Sequence, residues 1–261
     1  SSDLVQGSQP DVVANLFVSG IKRHFPLMKL VAENVPGASG GLGAEKVYQA
    51  LPDGYTLLLM SNANAVSAGL FKTLPFDPVK DFTPVSLMGT FDLAIVTSAE
   101  SRFQSLSELL TWAKANPGKL NIGSINIGST QHLTAELFKS AAGLDAQVVP
   151  FNGTPAVMTA LRGGQIDVAV EVLSPVLPQI KGGAVRAIAV TGKTRMDTLP
   201  GVPTVAETLP GFEVTSWLAL AAPAKTPADV LTRVATEVRA IIAQPDVRER
   251  IQQMGFIPVG S

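Results

Sequence analysis

The sequence lacks cysteine altogether. This absence excludes disulfide bonds, thiolate nucleophiles, cysteine-bound zinc and iron–sulfur clusters. Charged residues are also scarce, at 16% of the chain, against about 25% in an average soluble domain. The 20 basic and 21 acidic residues nearly cancel. Because clustered positive charge is what attracts nucleic acids and anionic membrane surfaces, the sequence predicts neither as a partner.

Long hydrophobic runs are missing as well. No apolar stretch approaches the roughly 20 residues that a membrane-spanning helix needs, so we expect no direct membrane insertion. The opening segment, SSDLVQGSQPDVV, shows no basic region followed by an apolar one. Secretory signal peptides have that pattern. We therefore expect either a cytosolic protein or an exported one whose signal peptide has been removed.

Strand-like and helix-like segments alternate along the chain. Hydrophobic residues make up 46% of 261 positions, enough for two substantial cores. The strand-like runs are residues 55–61, 93–98, 119–124, 146–151, 166–172 and 184–192. Ser105 followed by Glu108 predicts a capped helix over 105–118, and two helices with Pro227 and Pro245 in their first turns are predicted before Gly255. This alternation predicts an α/β fold, mainly parallel sheets flanked by helices.

The length favours two domains, yet no Ser/Gly linker separates them. We therefore expect the chain to cross between lobes on ordered, strand-like segments, near residues 98–102 and 220–223. The first lobe would comprise residues 1–98 plus 223–261, and the second residues 99–222. A double crossing makes a hinge, so the ligand is expected in the interdomain cleft.

Four loops that follow strands or open helices are small, polar and almost free of charge; they are residues 7–10, 61–64, 123–130 and 152–155. The last is expected to cap a helix beginning at Pro155. A helix N-terminus presents unpaired N–H groups and the positive end of the helix dipole, so it binds anions without lysine or arginine. These loops therefore predict a binding site for a small carboxylate that uses no charged side chains. The same residue types are also ordinary capping and turn residues, and that alternative stays open.

Catalytic and metal motifs are weak. The histidines are His24 and His132, without the spacing of a metal site, so neither a metal nor another cofactor is expected. The glycine-rich segment 37–45 lacks the G-x-G-x-x-G spacing of a dinucleotide site. A Ser129/His132 dyad is an alternative hypothesis, a small α/β hydrolase or acyl-transfer enzyme, although no G-x-S-x-G motif occurs.

Glu171 stands at the carboxyl end of a predicted strand, on the same face as Asp167 and Ala169. Two roles are open for its side chain. It could cap loop amides or meet a cationic or protonated ligand group, or it could be a satisfied carboxylate within a hydrogen-bond network.

Long, ordered motifs resemble one protein family, the extracytoplasmic solute receptors of tripartite tricarboxylate transporters. The motifs include NVPGASGGLGAEKVYQALPDGYTLLLMS, FDPVKDFTPVSLM, GSTQHLTAELF, VPFNGTPAVMTAL and LPGVPTVAETLPGF, and the resemblance covers nearly the whole chain. It implies a non-enzymatic, two-lobed periplasmic binding protein that closes around a small organic acid and delivers it to a membrane permease. A receptor that signals to a membrane sensor is a further possibility. The family default is a monomer.

The resemblance also implies which residues contact the ligand. They are Gly7, Ser8, Gln9, Asp11, Ser61, Asn62, Asn126, Ile127, Gly128, Ser129, Thr130, His132, Asn152, Gly153, Thr154, Pro155 and Glu171. Two departures from the family pattern concern the first loop. Only a short segment precedes Gly7, and Asn15 stands where the family often has arginine. The identity of the carboxylate therefore stays open.

Overall fold

The computed structural model describes residues 9–24, 29–35, 41–70, 73–253 and 255–261. The helices are α1 (Gln9–His24), α2 (Gly41–Tyr48), α3 (Asn62–Leu70), α4 (Leu106–Ala115), α5 (Thr130–Ala141), α6 (Thr154–Arg162), α7 (Leu173–Lys181), α8 (Ala228–Ile242) and α9 (Pro245–Gln253). The strands are β1 (Leu58–Ser61), β2 (Phe82–Ser98), β3 (Leu120–Ile125), β4 (Ala146–Phe151), β5 (Val168–Val172), β6 (Val185–Val190), β7 (Thr215–Pro223) and β8 (Phe256–Pro258).

The chain forms two compact units, Ser1–Thr90 with Trp217–Ser261, and Phe91–Ser216. The chain passes from the first unit to the second within β2 and returns within β7. The sequence predicts these crossings near residues 98–102 and 220–223, in both cases a few residues later in the chain. A strand has no compositional break at the point where its neighbours change, so the sequence marks the strand but not the position of the boundary. The predicted lobes stay a prediction.

In the first unit, β1 pairs antiparallel with β7, from Leu58 opposite Ala221 to Ser61 opposite Leu218. Its core joins α2 to these strands through a cluster of buried side chains, namely Ala44, Val47, Leu58, Met60, Phe76, Phe82 and Ala221. The rings of Phe76 and Phe82 meet edge to face, with centroids 5.5 Å apart. Helix α1 packs against α8 and α9, so the C-terminal helices belong to this unit.

The second unit contains a five-stranded sheet in the order β6-β2-β5-β3-β4. Strand β3 runs parallel to β4 and β5, whereas β2 is antiparallel to both β5 and β6. Four of these five strands, all except β2, therefore run in the same direction. The prediction of a mainly parallel sheet flanked by helices is confirmed in this unit. All five residues of β5 are buried, as expected for a strand covered on both faces.

In the second unit, a residue just after β6 lies close to a side chain in the middle of β2. Asp92 lies on β2, and Gly192 follows β6. A Cβ built on Gly192 would lie 2.5 Å from Asp92 Cγ and 2.6 Å from Asp92 Oδ1. Burial, together with the negative charge of Glu213, raises the pKa of Asp92 to about 6. Gly192 therefore provides the space for a buried carboxyl.

Substitution of Gly192 by alanine is expected to destabilise the second unit by about 1–3 kcal/mol, the usual cost of overpacking. The added methyl overlaps the Asp92 carboxyl, whose side chain is buried and has little room to move away. In an Asp92→Ala background the same substitution should cost less than about 0.5 kcal/mol, which a double-mutant cycle by urea denaturation measures. Gly201→Ala is the matched control, because no described residue lies within 4 Å of its Cβ position. An equal cost in both backgrounds would contradict this explanation.

Candidate ligand-binding site

The candidate site residues of the second unit follow the carboxyl ends of adjacent parallel strands. Ile125 at the end of β3 is in register with Phe151 at the end of β4, so the loops after these strands begin side by side. The Asn126 N–H donates to the Phe151 carbonyl at 3.0 Å. This bond joins the loop that leads into α5 to the loop that leads into α6.

The loop before α5 is a tight turn. The Ser129 N–H donates to the Asn126 carbonyl at 3.0 Å, and Gly128 has φ +83°, which favours glycine. Ser129 is the N-cap of α5, and its Oγ accepts from the His132 N–H at 3.1 Å and donates to the Ile125 carbonyl at 3.1 Å. The Ser129 hydroxyl hydrogen is therefore already used within the loop.

The loop before α6 differs from the prediction. The sequence analysis expected Asn152, Gly153 and Thr154 to cap a helix beginning at Pro155. The helix begins at Thr154, and its N-cap, Gly153, provides no side-chain cap. The Thr154 hydroxyl instead donates to Glu171 Oε2 at 2.9 Å. The predicted side-chain cap was therefore wrong. Local spacing could not show where the Thr154 hydroxyl goes, because its partner lies 17 positions away in the sequence.

Glu171 lies on β5 opposite Ala94 of β2 and is 0% exposed. Its Oε1 is buried and has no hydrogen-bond partner among the described residues. Burial raises the pKa of this carboxyl to about 7, although Thr154, the Gln131 side chain and the Val172 backbone each lower it. Thr154 is thus its recorded hydrogen-bond donor, and both roles proposed from the sequence stay predictions.

Other buried polar groups surround the start of α5. In the part of the chain that the structure describes, Ser124 Oγ, Thr134 Oγ1 and His132 Nδ1 are buried without a hydrogen-bond partner. Sequence reasoning missed Gln131, which acts on the Glu171 carboxyl. A signal was available, because Gln131 shares the buried face of α5 with Thr134, Ala135 and Phe138, and a polar residue on such a face predicts a buried polar contact.

The remaining candidates differ in exposure. Asn126, Asn152 and Pro155 are exposed, and Ile127 is 76% exposed. Gly128, Thr130 and Gly153 are half-buried. The second unit thus brings the predicted residues 126–130, 132, 152–155 and 171 onto three neighbouring strand ends.

In the first unit, Ser61 ends β1 and begins a turn into α3. Its Oγ accepts from the Ala63 N–H at 3.3 Å, and its own N–H donates to Asn64 Oδ1 at 2.9 Å. Asn62 is the first residue of α3. Gln9 and Asp11 lie in the first turn of α1, and the structure describes their backbone only. Gly7 and Ser8 lie outside the described residues.

A cavity of about 330 Å³ in the second unit does not belong to these loops. Leu137, Ala141 and residues 209–213 line it, which places it at the C-terminal half of α5. At a rise of 1.5 Å per residue, Leu137 is about 10 Å along the helix from Thr130.

None of the described helices combines the length and the apolar character of a membrane span. The described ranges also contain no group of three His, Asp or Glu side chains placed to hold a metal ion.

Comparison with known proteins identifies the family. The family model described as the tripartite tricarboxylate transporter family receptor matches residues 20–261. The chain belongs to this receptor family. A relative from Agrobacterium vitis, the UPF0065 protein in the TAR-I ttuE-ttuC' intergenic region, is 36% identical over 254 residues, 97% of this receptor and 73% of the relative.

Solved structures of similar proteins confirm the fold. A structure described as a periplasmic transporter has a TM-score of 0.85 and 31% identity, covering 98% of this receptor and 86% of that chain. Rpa4515 of R. palustris, solved with adipate, has a TM-score of 0.87 and 29% identity, covering 98% and 86%. MatC from Rhodopseudomonas palustris, solved with bound malate, has a TM-score of 0.82 and 30% identity, covering 97% and 87%.

Family and fold are those of transport binding proteins and not of enzymes. The geometry of Ser129 and His132 agrees with this. Their recorded contact in the described structure is the helix cap, between the His132 backbone N–H and Ser129 Oγ. The Ser129 hydroxyl donates to a backbone carbonyl, whereas a nucleophile would donate to the imidazole of its base. The alternative of a Ser129/His132 enzyme therefore has no support.

Proposed function

We propose that this receptor is periplasmic, binds a small organic carboxylate at the loops after β3 and β4, and delivers it to the membrane permease of a tripartite tricarboxylate transporter. The proposal is supported most by one observation: two helices, α5 and α6, start side by side at neighbouring strand ends. The binding of adipate and malate by two similar receptors supports the same ligand class.

The loops can bind an anion without a lysine or arginine side chain, because two helices start there. Residues 126–132 and 152–155 contain neither lysine nor arginine. A helix start supplies N–H groups that have no acceptor within the helix, together with the positive end of the dipole. A carboxylate can accept hydrogen bonds from these groups as it loses water. Such a site binds the charge by backbone geometry and selects the rest of the ligand by shape.

Membership of this receptor family supports the proposed delivery step and location. A receptor of a tripartite transporter delivers its ligand to a membrane permease. We therefore propose that this chain acts in the periplasm and that its partners are permease subunits. We further propose that it acts as a monomer. The closure of two lobes expected from the sequence stays a prediction.

A thermal-shift panel of organic acids tests the ligand class. We expect one or more of adipate, malate and citrate to stabilise the receptor by about 2.7 kcal/mol at 100 times the dissociation constant. Adipamide is the matched control for adipate, because it has the same carbon chain without the charge. Equal stabilisation by adipamide, or no shift with any carboxylate on protein freed of bound ligand by unfolding and refolding, would overturn the proposed ligand class.

A further inference from the structure

The Thr154 hydroxyl has a single hydrogen, and in the structure it donates that hydrogen in a hydrogen bond to Glu171. Thr154 is the first residue of α6, half-buried at the helix start, and its Oγ1 donates to Glu171 Oε2 at 2.9 Å. An ionised carboxylate only accepts hydrogen bonds. While Glu171 is ionised, Thr154 can therefore present only oxygen lone pairs to its other neighbours.

This arrangement conflicts with the binding of an anion at the same helix start. A ligand carboxylate needs donors, and it would meet an acceptor oxygen on Thr154 with the Glu171 charge directly behind it. Protonation of Glu171 removes both obstacles, because a neutral carboxyl has an O–H that can donate to Thr154 Oγ1. The Thr154 hydrogen is then free to turn toward the ligand.

We infer that Glu171 is a positioning residue that takes up a proton when the receptor binds its carboxylate ligand, and so converts Thr154 from an acceptor into a donor. The inference rests on the proposed function, since it requires an anion at the start of α6. Glu171 itself is fully buried and acts through Thr154. Gln131, which also acts on this carboxyl, has both donor and acceptor atoms and can serve either protonation state.

The surroundings of Glu171 favour proton uptake near neutral pH. Burial raises its pKa to about 7, and no charged group contributes to that shift. The titratable and charged residues on the elements packed against β5 within the second unit are Asp92 on β2, His132, Glu136 and Lys139 on α5, Arg162 on α6, and Lys181 on α7. An approaching ligand anion raises the pKa of a carboxyl further by like-charge repulsion.

Proton uptake is measured by titration calorimetry with adipate, malate and citrate in two buffers of different ionisation enthalpy. At pH 8 we expect uptake of about 0.9 proton per ligand, because a carboxyl with a pKa of about 7 is then mostly ionised in the free receptor. Above pH 7 the affinity should fall by up to about tenfold per pH unit. In Glu171→Gln the uptake should vanish, since the amide of glutamine donates to Thr154 at every pH.

Three further variants separate Glu171 from other sources of the proton. Thr154→Val should abolish the linkage, and Thr154→Ser, which restores the hydroxyl, should restore it. Asp92→Asn, at a second buried carboxyl of the same unit, should keep the proton uptake. In infrared difference spectra at pH 8, ligand binding should produce a protonated carboxyl band that is absent in Glu171→Gln.

The results distinguish this inference from the proposed function. Carboxylate binding with equal proton uptake in the wild type and Glu171→Gln, or loss of uptake in Asp92→Asn, would overturn the role of Glu171 and leave the proposed function standing. Failure of all three acids to bind the wild type at pH 6 would overturn both.

Discussion

Replacing Glu171 by glutamine is expected to stabilise the ligand-free receptor at pH 8 by about 3 kcal/mol. Burial raises the pKa of this carboxyl from 4.5 to about 7, and each pKa unit corresponds to about 1.4 kcal/mol. The folded state binds the proton more tightly than the unfolded state. The stability contributed by that proton is therefore fully present below about pH 4.5 and is lost as the pH rises to about 7. Glutamine is nearly isosteric and stays neutral.

The measurement is urea denaturation of wild type and variant at pH 4 and pH 8. We expect a small difference at pH 4 and the full stabilisation at pH 8. Because the chain has two compact units, hydrogen exchange of the β5 amides should accompany it, to assign the change to the second unit. Glu100→Gln, at an exposed position, is the control and should change stability by less than about 0.5 kcal/mol. Destabilisation by Glu171→Gln at both pH values would contradict the raised pKa.

Local sequence patterns predicted much of the second unit. The run AQVVPF coincides with β4, and the small polar residues after β3 cap α5 through Ser129. Both depend on interactions within a few residues, such as alternating hydrophobicity and an N-cap three positions from its donor. The two helices predicted from Pro227 and Pro245 are also present, as α8, whose N-cap is Pro227, and α9, which begins at Pro245.

Contacts between distant segments could not be predicted in this way. The bond from Thr154 to Glu171 depends on how α6 packs against β5, and the space at Gly192 depends on its approach to Asp92 on another strand. Strand β8 is three residues long and pairs with β2, so its identity comes from that pairing and not from its composition. The chemistry of the candidate site therefore depends on the part of the fold that the sequence does not show locally.

Gly153 should be the most sensitive backbone position for ligand binding. Its φ of +91° with ψ of 161° lies in a region that essentially only glycine adopts. Space is not the obstacle, since a Cβ there would meet only Pro155 Cδ at 3.7 Å. Alanine at this position therefore costs about 1–3 kcal/mol of backbone strain. The chain can relieve that strain by rotating the peptide that joins Gly153 to Thr154.

This rotation would turn the Thr154 N–H away from the direction of the α6 axis, so it would no longer point toward an anion bound at the helix start. We therefore expect Gly153→Ala to lower the affinity for the best acid of the panel by about 100-fold, equivalent to about 2.7 kcal/mol. Gly164, just beyond the other end of α6, is the matched control, because it has φ +70° and, in the part of the chain that the structure describes, no atom within 4 Å of its Cβ position. Gly164→Ala should cost about 1–2 kcal/mol of stability and leave the affinity within about twofold. Calorimetry on both variants separates general strain from loss of the site, since equal losses of affinity would mean that the start of α6 does not hold the ligand.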